Sequence, residues 1–145
     1  AMQAAAHSHH HLGLCEQGQP AMLQTTGNPH AHLVLRGGRG ITNYDAASID
    51  AAAAALAAAG LEPAIMVDCS HDNARKQHQR QISIAHAVMA QRRAGNAAIR
   101  GLMLESFLQP GRQDDSGSLQ FGCSLTDPCL GWEDTAELLR RLADQ

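Results

Sequence analysis

Three apolar runs, each breaking into polar or ionisable residues at its downstream end, constrain this chain more than any other feature. His32-Leu33-Val34-Leu35 runs into Arg36-Gly37-Gly38, Ala64-Ile65-Met66-Val67 into Asp68-Cys69-Ser70-His71, and Ile99-Arg100-Gly101-Leu102-Met103-Leu104 into Glu105-Ser106. A helix-like segment follows each run. Arg36, His71 and Glu105 stand 35 and 34 residues apart, about the length of one strand-plus-helix unit. Short continuous apolar strands alternating with helices belong to parallel sheets, whose downstream ends lie together. The pattern therefore predicts an α/β fold in which Arg36, His71 and Glu105 meet in one site.

A chain of 145 residues is long enough for one modest domain, taken here as residues 1–145. Aromatic residues make up 3% of it, so Leu, Ile, Val, Met and Ala must build the core. A formal net charge of -3 gives no basic footprint for nucleic acid. No apolar stretch approaches the roughly 20 residues of a membrane span, and no signal-peptide pattern opens the chain. Cys15, Cys69, Cys123 and Cys129 show no CxxC spacing. A reducing cytoplasm is the expected compartment.

Taken in order, Ala1–Ala6 reads as the last turns of a helix, and His7, His9, His10 and His11 as a solvent-facing loop. Leu12-Gly13-Leu14 and residues 21–25 flank a Gly-containing turn, which predicts a β-hairpin. A helix is expected over 48–59 with Gly60 just past its end. A longer one is expected over 77–94, with Ile82, Ala85, Val88 and Met89 inward and His78 and His86 in surface or packing roles. Residues 109–118 read as a mobile loop beyond the third strand. A last helix runs from Gly131 through Leu142, with Leu138, Leu139 and Leu142 inward.

His71, Glu105 and Asp127 together offer one imidazole and two carboxylates, a donor set suited to Mn, Fe, Co or Zn. Each residue alone has a structural reading, as a packing histidine or an ion-pair partner. Asp68 reads equally well as an orienter of His71 and as a turn-former. Cys69 is expected to pack as a small buried residue.

Four motifs carry a resemblance. His32–Gly38 followed by Asn43-Tyr44, Met66–Gln77 around Asp68-Cys69-Ser70-His71, Gly101–Ser106, and Ser124–Thr135 around Asp127 come in the order, and near the spacing, of the type I 3-deoxy-D-arabino-heptulosonate 7-phosphate (DAHP) synthases, which the chain resembles over almost its whole length. The resemblance implies the C-terminal portion of a TIM (β/α)8 barrel, about three βα units plus a β-hairpin, incomplete on its own. It implies condensation of phosphoenolpyruvate with erythrose 4-phosphate in the first step of the shikimate pathway. Arg36 would bind the phosphoenolpyruvate phosphate, and His71, Glu105 and Asp127 would hold a divalent metal, with Mn first and Fe, Co or Zn as alternatives. The full-length enzyme would be a homo-oligomer.

The chain also departs from that pattern. The family's fourth metal ligand, a cysteine on the first strand, has no counterpart, nor do the lysines and arginines that cradle erythrose 4-phosphate. Phe107 stands where many members have histidine, Asp72 where they have a small residue, and Pro128 where they have alanine. Three strands buried on both faces would lack partners along one face and two edges, so the chain reads as a piece of a longer enzyme, active or not by itself. The related 3-deoxy-D-manno-octulosonate 8-phosphate synthase is the enzyme alternative. A non-catalytic remnant that binds metal or phosphate, or docks on full-length paralogues, is the alternative of another class.

Overall fold

A computed structural model describes residues 1–144. After a short helix α1 (Met2–Ala6), strands β1 (His10–Leu14) and β2 (Pro20–Gln24) form an antiparallel hairpin in the register Leu12↔Met22. The expected histidine loop is thus partly strand: His10 and His11 lie in β1, and the rings of His7 and His9 bond back to carbonyls of α1.

The second sheet is parallel, with β3 (Leu33–Leu35), β4 (Ile65–Asp68) and β5 (Ile99–Met103) side by side in that order. Leu35 pairs with Val67 and Asp68 with Met103, with a register shift between Ile65 and Met66 on the β5 side. Helices α2 (Ala46–Ala58), α4 (Arg80–Arg93) and α5 (Trp132–Ala143) accompany it, and a single turn, α3 (His71–Ala74), follows β4. Ile49 and Leu56 of α2, Ile84, Ala85 and Val88 of α4, and Leu138 of α5 close over Ile65, Val67 and Ile99. Cys69 lies in this core, where burial pushes its thiol up to about 12. No helix among the described residues is long and apolar enough to cross a membrane.

Local chemistry explains the helix limits. Asp45 caps α2, accepting from the Ser48 amide at 2.9 Å and its hydroxyl at 2.7 Å. The helix therefore starts two residues before Ser48, the expected first residue. Its end is as expected: Gly60 has φ +71, and the Gly60 and Leu61 amides bond Ala57 and Leu56 carbonyls in a Schellman closure.

The stretch expected as one helix over 77–94 begins later. Arg75 and Lys76 both adopt left-handed backbone, at φ +53 and +60, which separates α3 from α4. The inward face of α4 is Gln81, Ile84, Ala85 and Val88, with Ile82 and Met89 only half-buried at its edges. In α5, Leu138 is buried and Leu142 partly so, but Leu139 is 54% exposed.

Residues 109–113, expected to be mobile, are braced. Gly111 pairs with Cys129 through two backbone bonds, and the Gln113 side chain makes three bonds to Gln120 and Cys123 backbone.

Candidate metal centre

The downstream end of β4 turns sharply. Asp68, its last residue, is buried and splits its carboxylate between two tasks. One oxygen accepts from the Ser70 amide at 2.8 Å, the other from His71 Nδ1 at 2.6 Å. Turn-former and orienter are thus the same residue. Because Nδ1 donates to the carboxylate, Nε2 is the ring nitrogen left to face other groups. His71 itself holds a left-handed backbone at φ +44, uncommon for a residue with a side chain. That costs on the order of 1–3 kcal/mol and persists only where its surroundings enforce it.

His71 Nε2 points at two carboxylates: Glu105 Oε1 at 3.6 Å and Asp127 Oδ2 at 3.5 Å. The three ligand atoms all lie within 4.8 Å of one another. Donors about 2.1 Å from a tetrahedral ion sit roughly 3.4 Å apart, close to both separations from His71 Nε2. The oriented imidazole and the hard oxygen partners fit a first-row divalent cation.

Glu105 lies just past β5. Its carbonyl accepts from the Leu130 amide at 2.9 Å, and the Leu130 carbonyl accepts from Phe107, so residues 105–107 and 130 run side by side. This short pairing brings the 124–129 segment, and Asp127 with it, to the ends of the strands. Lys76 reaches Asp127 Oδ1 at 2.6 Å and leaves Oδ2 facing His71. The Lys76 hydrogen bond, with its charge and those of His71 and Arg36 adding, holds the Asp127 carboxyl below the usual aspartate range despite some desolvation.

A depressed carboxyl pKa adds stability above its unfolded value, and this is lost as pH falls through the folded value. Lys76→Met is expected to bring the Asp127 titration back toward the ordinary range, measured by carboxyl-carbon NMR. An unchanged midpoint would mean that Lys76 does not set it.

Arg36 is exposed at the end of β3, close enough for its charge to act on Asp127. The following turn is fitted tightly: Gly37 has φ +72, and its amide donates to Asn43 Oδ1 at 2.7 Å. Asp72 lies against this turn, its Oδ2 accepting from the Gly40 amide at 3.5 Å. Cys129 adjoins the triad, with Sγ 3.4 Å from the Asp127 carbonyl; burial, with Glu105 and Asp127 adding, pushes its thiol up against an opposing Ser124 hydrogen bond.

Sequence reasoning missed Lys76, Asn73 and Gln81. Gln81 had a visible signal: it is a polar residue three and four positions before Ile84 and Ala85, on the helix face that proves to be buried.

Comparison with known proteins completes the picture. Residues 1–140 match the DAHP synthetase I family. The Tyr-sensitive phospho-2-dehydro-3-deoxyheptonate aldolase of Salmonella typhimurium is 44% identical over 145 residues, covering 98% of this chain and 40% of that protein. The Trp-sensitive enzyme of Escherichia coli is 46% identical over 145 residues, covering 99% and 41%. The structure of phospho-2-dehydro-3-deoxyheptonate aldolase from Francisella tularensis superposes with a TM-score of 0.90 at 36% identity, covering 99% of this chain and 42% of that one. The chain spans about two fifths of the length of these relatives. A match over nearly every residue, with the same fold and the motifs around Arg36, His71, Glu105 and Asp127, leads to one conclusion: the chain belongs to the DAHP synthetase I family.

Proposed function

We propose that this chain forms the metal- and phosphate-handling part of a DAHP synthase, condensing phosphoenolpyruvate with erythrose 4-phosphate and releasing phosphate. One observation carries the reading: His71 Nε2, with its ring turned by Asp68, faces Glu105 and Asp127 at ion-sharing distances. A divalent ion bound there, Mn by preference, supplies the positive charge that polarises the sugar aldehyde.

The chain's own residues do the rest of what is assigned here. Asp68 keeps the imidazole aimed, with Nδ1 on its carboxylate and Nε2 turned to Glu105 and Asp127. Lys76 occupies one Asp127 oxygen, so that Asp127 offers the other. Arg36, on the glycine-lined turn, takes the phosphate of phosphoenolpyruvate through its planar guanidinium. A C–C bond then forms between the enol carbon and the aldehyde carbon. Water adds at the neighbouring carbon, and phosphate leaves. In the same reading β3, β4 and β5 are successive strands of a (β/α)8 barrel, with the remaining strands and the erythrose 4-phosphate cradle in the part of the relatives that this chain does not span.

The test is turnover by the 145-residue chain with Mn(II), phosphoenolpyruvate and erythrose 4-phosphate, the product identified by mass and a His71→Ala chain as background. DAHP above background is expected once the chain is joined to the part of a relative that it does not span, and His71-dependent Mn(II) binding without turnover from the chain by itself. Product only when arabinose 5-phosphate replaces erythrose 4-phosphate would transfer the reading to the octulosonate synthase. Ligand binding without any product from the joined chain would favour a binding role.

A further inference from the structure

Two fully buried side chains near the triad are carboxamides, Asn73 on α3 and Gln81 on α4. A buried amide is costly unless its hydrogen bonds are made, and these two spend theirs on one kind of target. Asn73 Nδ2 donates to the carbonyls of Leu35 and Asp68, the last residues of β3 and β4, at 3.1 and 2.8 Å. Its Oδ1 accepts from the Asn43 amide at 2.8 Å, and Asn43 in turn holds Gly37. Gln81 takes both polar groups of one residue: Oε1 accepts from the Glu105 amide at 2.8 Å, and Nε2 donates to the Glu105 carbonyl at 3.1 Å.

These bonds begin where the sheet stops. The last β3–β4 pair is Leu35↔Val67 and the last β4–β5 pair is Asp68↔Met103. Beyond them the ladder supplies no further pairs, yet Arg36, His71 and Glu105 all sit there. Strand pairing alone therefore leaves the spacing of the three ends loosely defined, whereas a metal centre tolerates only about 0.5 Å of misplacement.

We infer that Asn73 and Gln81 are positioning residues, which set the spacing of His71, Glu105 and the Arg36 turn by replacing the missing strand-to-strand hydrogen bonds. Asn73 ties the β3 end to the β4 end that carries Asp68 and His71. Gln81 pins Glu105, whose carbonyl also holds Leu130 and hence the segment of Asp127. An apolar residue at either place would suit the core better and leave the strand ends free to drift.

The inference rests on the metal reading above, so the test separates the two. The 145-residue chain is compared with Gln81→Met, Asn73→Ala and, as a control on the same buried face of α4, Ile84→Val. Amide hydrogen exchange by NMR and Mn(II) titration are read on each. In Gln81→Met, which keeps the volume and removes both hydrogen bonds, the Glu105 amide should lose protection while those of Val67 and Leu102 keep theirs. Mn(II) affinity should fall about 10–100-fold, the range seen when an outer partner of a metal ligand is removed. Asn73→Ala should do the same at the Asn43 amide, and if it fails to fold, Gln81→Met still decides. Ile84→Val should lower the melting temperature and leave Mn(II) affinity within about twofold.

Unchanged Glu105 protection, or unchanged Mn(II) affinity, in a folded Gln81→Met chain would overturn the inference. So would an equal loss of Mn(II) affinity in Ile84→Val. If the parent itself binds no Mn(II), the metal reading falls, and selective loss of Glu105 protection alone supports the carboxamide clamps.

Discussion

His71→Ala is expected to abolish divalent-metal binding, weakening Mn(II) affinity by well over the 10–100-fold that loss of an outer hydrogen-bonding partner costs. Nε2 is the one nitrogen in the triad and faces both carboxylates, so without it two like charges must share an ion with no fixed third donor. The substitution also strips a partner from Asp68, which is 1% exposed. An unpaired buried acceptor costs about 1–3 kcal/mol, so the melting temperature should fall as well. Glu105→Gln separates the two effects. The structural bonds of Glu105 are made by its backbone, so this variant should lose metal with little loss of stability. Calorimetric Mn(II) titration beside a thermal melt checks both, and retention of tight Mn(II) binding by both variants would remove the triad as a metal centre.

Gly37→Ala should be strongly destabilising, whereas Gly38→Ala, next to it, should be nearly silent. A Cβ on Gly37 would fall 2.8 Å from Asp72 Cβ and from the Ile41 carbonyl oxygen, and 2.9 Å from the Asn73 amide. Two of these three atoms belong to the backbone and cannot swing aside. The residue also sits at φ +72, where a side chain costs roughly 1–2 kcal/mol, and overpacking adds about 1–3 kcal/mol. A Cβ on Gly38 would meet nothing within 4 Å. Denaturant melts of the two variants give the stability difference. Because the turn carries Arg36, phosphoenolpyruvate binding by Gly37→Ala should weaken in parallel, as titration would show. Equal stabilities would mean that the Arg36–Gly40 turn rearranges freely, and the close approach of this turn to α3 would then carry no weight.

Reading the sequence located the strands because a buried parallel strand favours an apolar run: Leu33–Leu35 and Ile65–Val67 supply unbroken ones, and Ile99–Met103 one interrupted only by the exposed Arg100 and by Gly101. It located the α2 ending because Gly60 does at C′ what few other residues do without strain. It placed Ala85 and Val88 correctly on the inward face of α4 but set that face slightly off, missing Gln81, because hydrophobic periodicity counts only apolar residues. The same rule brought Leu139 inward in α5, although it lies outward beside Leu138. It brought the four motifs into view as a family likeness, and the comparisons support that membership directly.

By itself, then, the sequence determined the alternation of strands and helices and the order in which chemistry-bearing residues arrive, because both depend on neighbours within a few positions. Tertiary structure alone decided the rest. It made Asp68 both turn-former and orienter, put Lys76 on Asp127 across 51 positions, and set Asn73 and Gln81 against the strand ends. A hydrogen bond is chosen by which donors and acceptors burial leaves without water, and that is settled only when distant segments have packed.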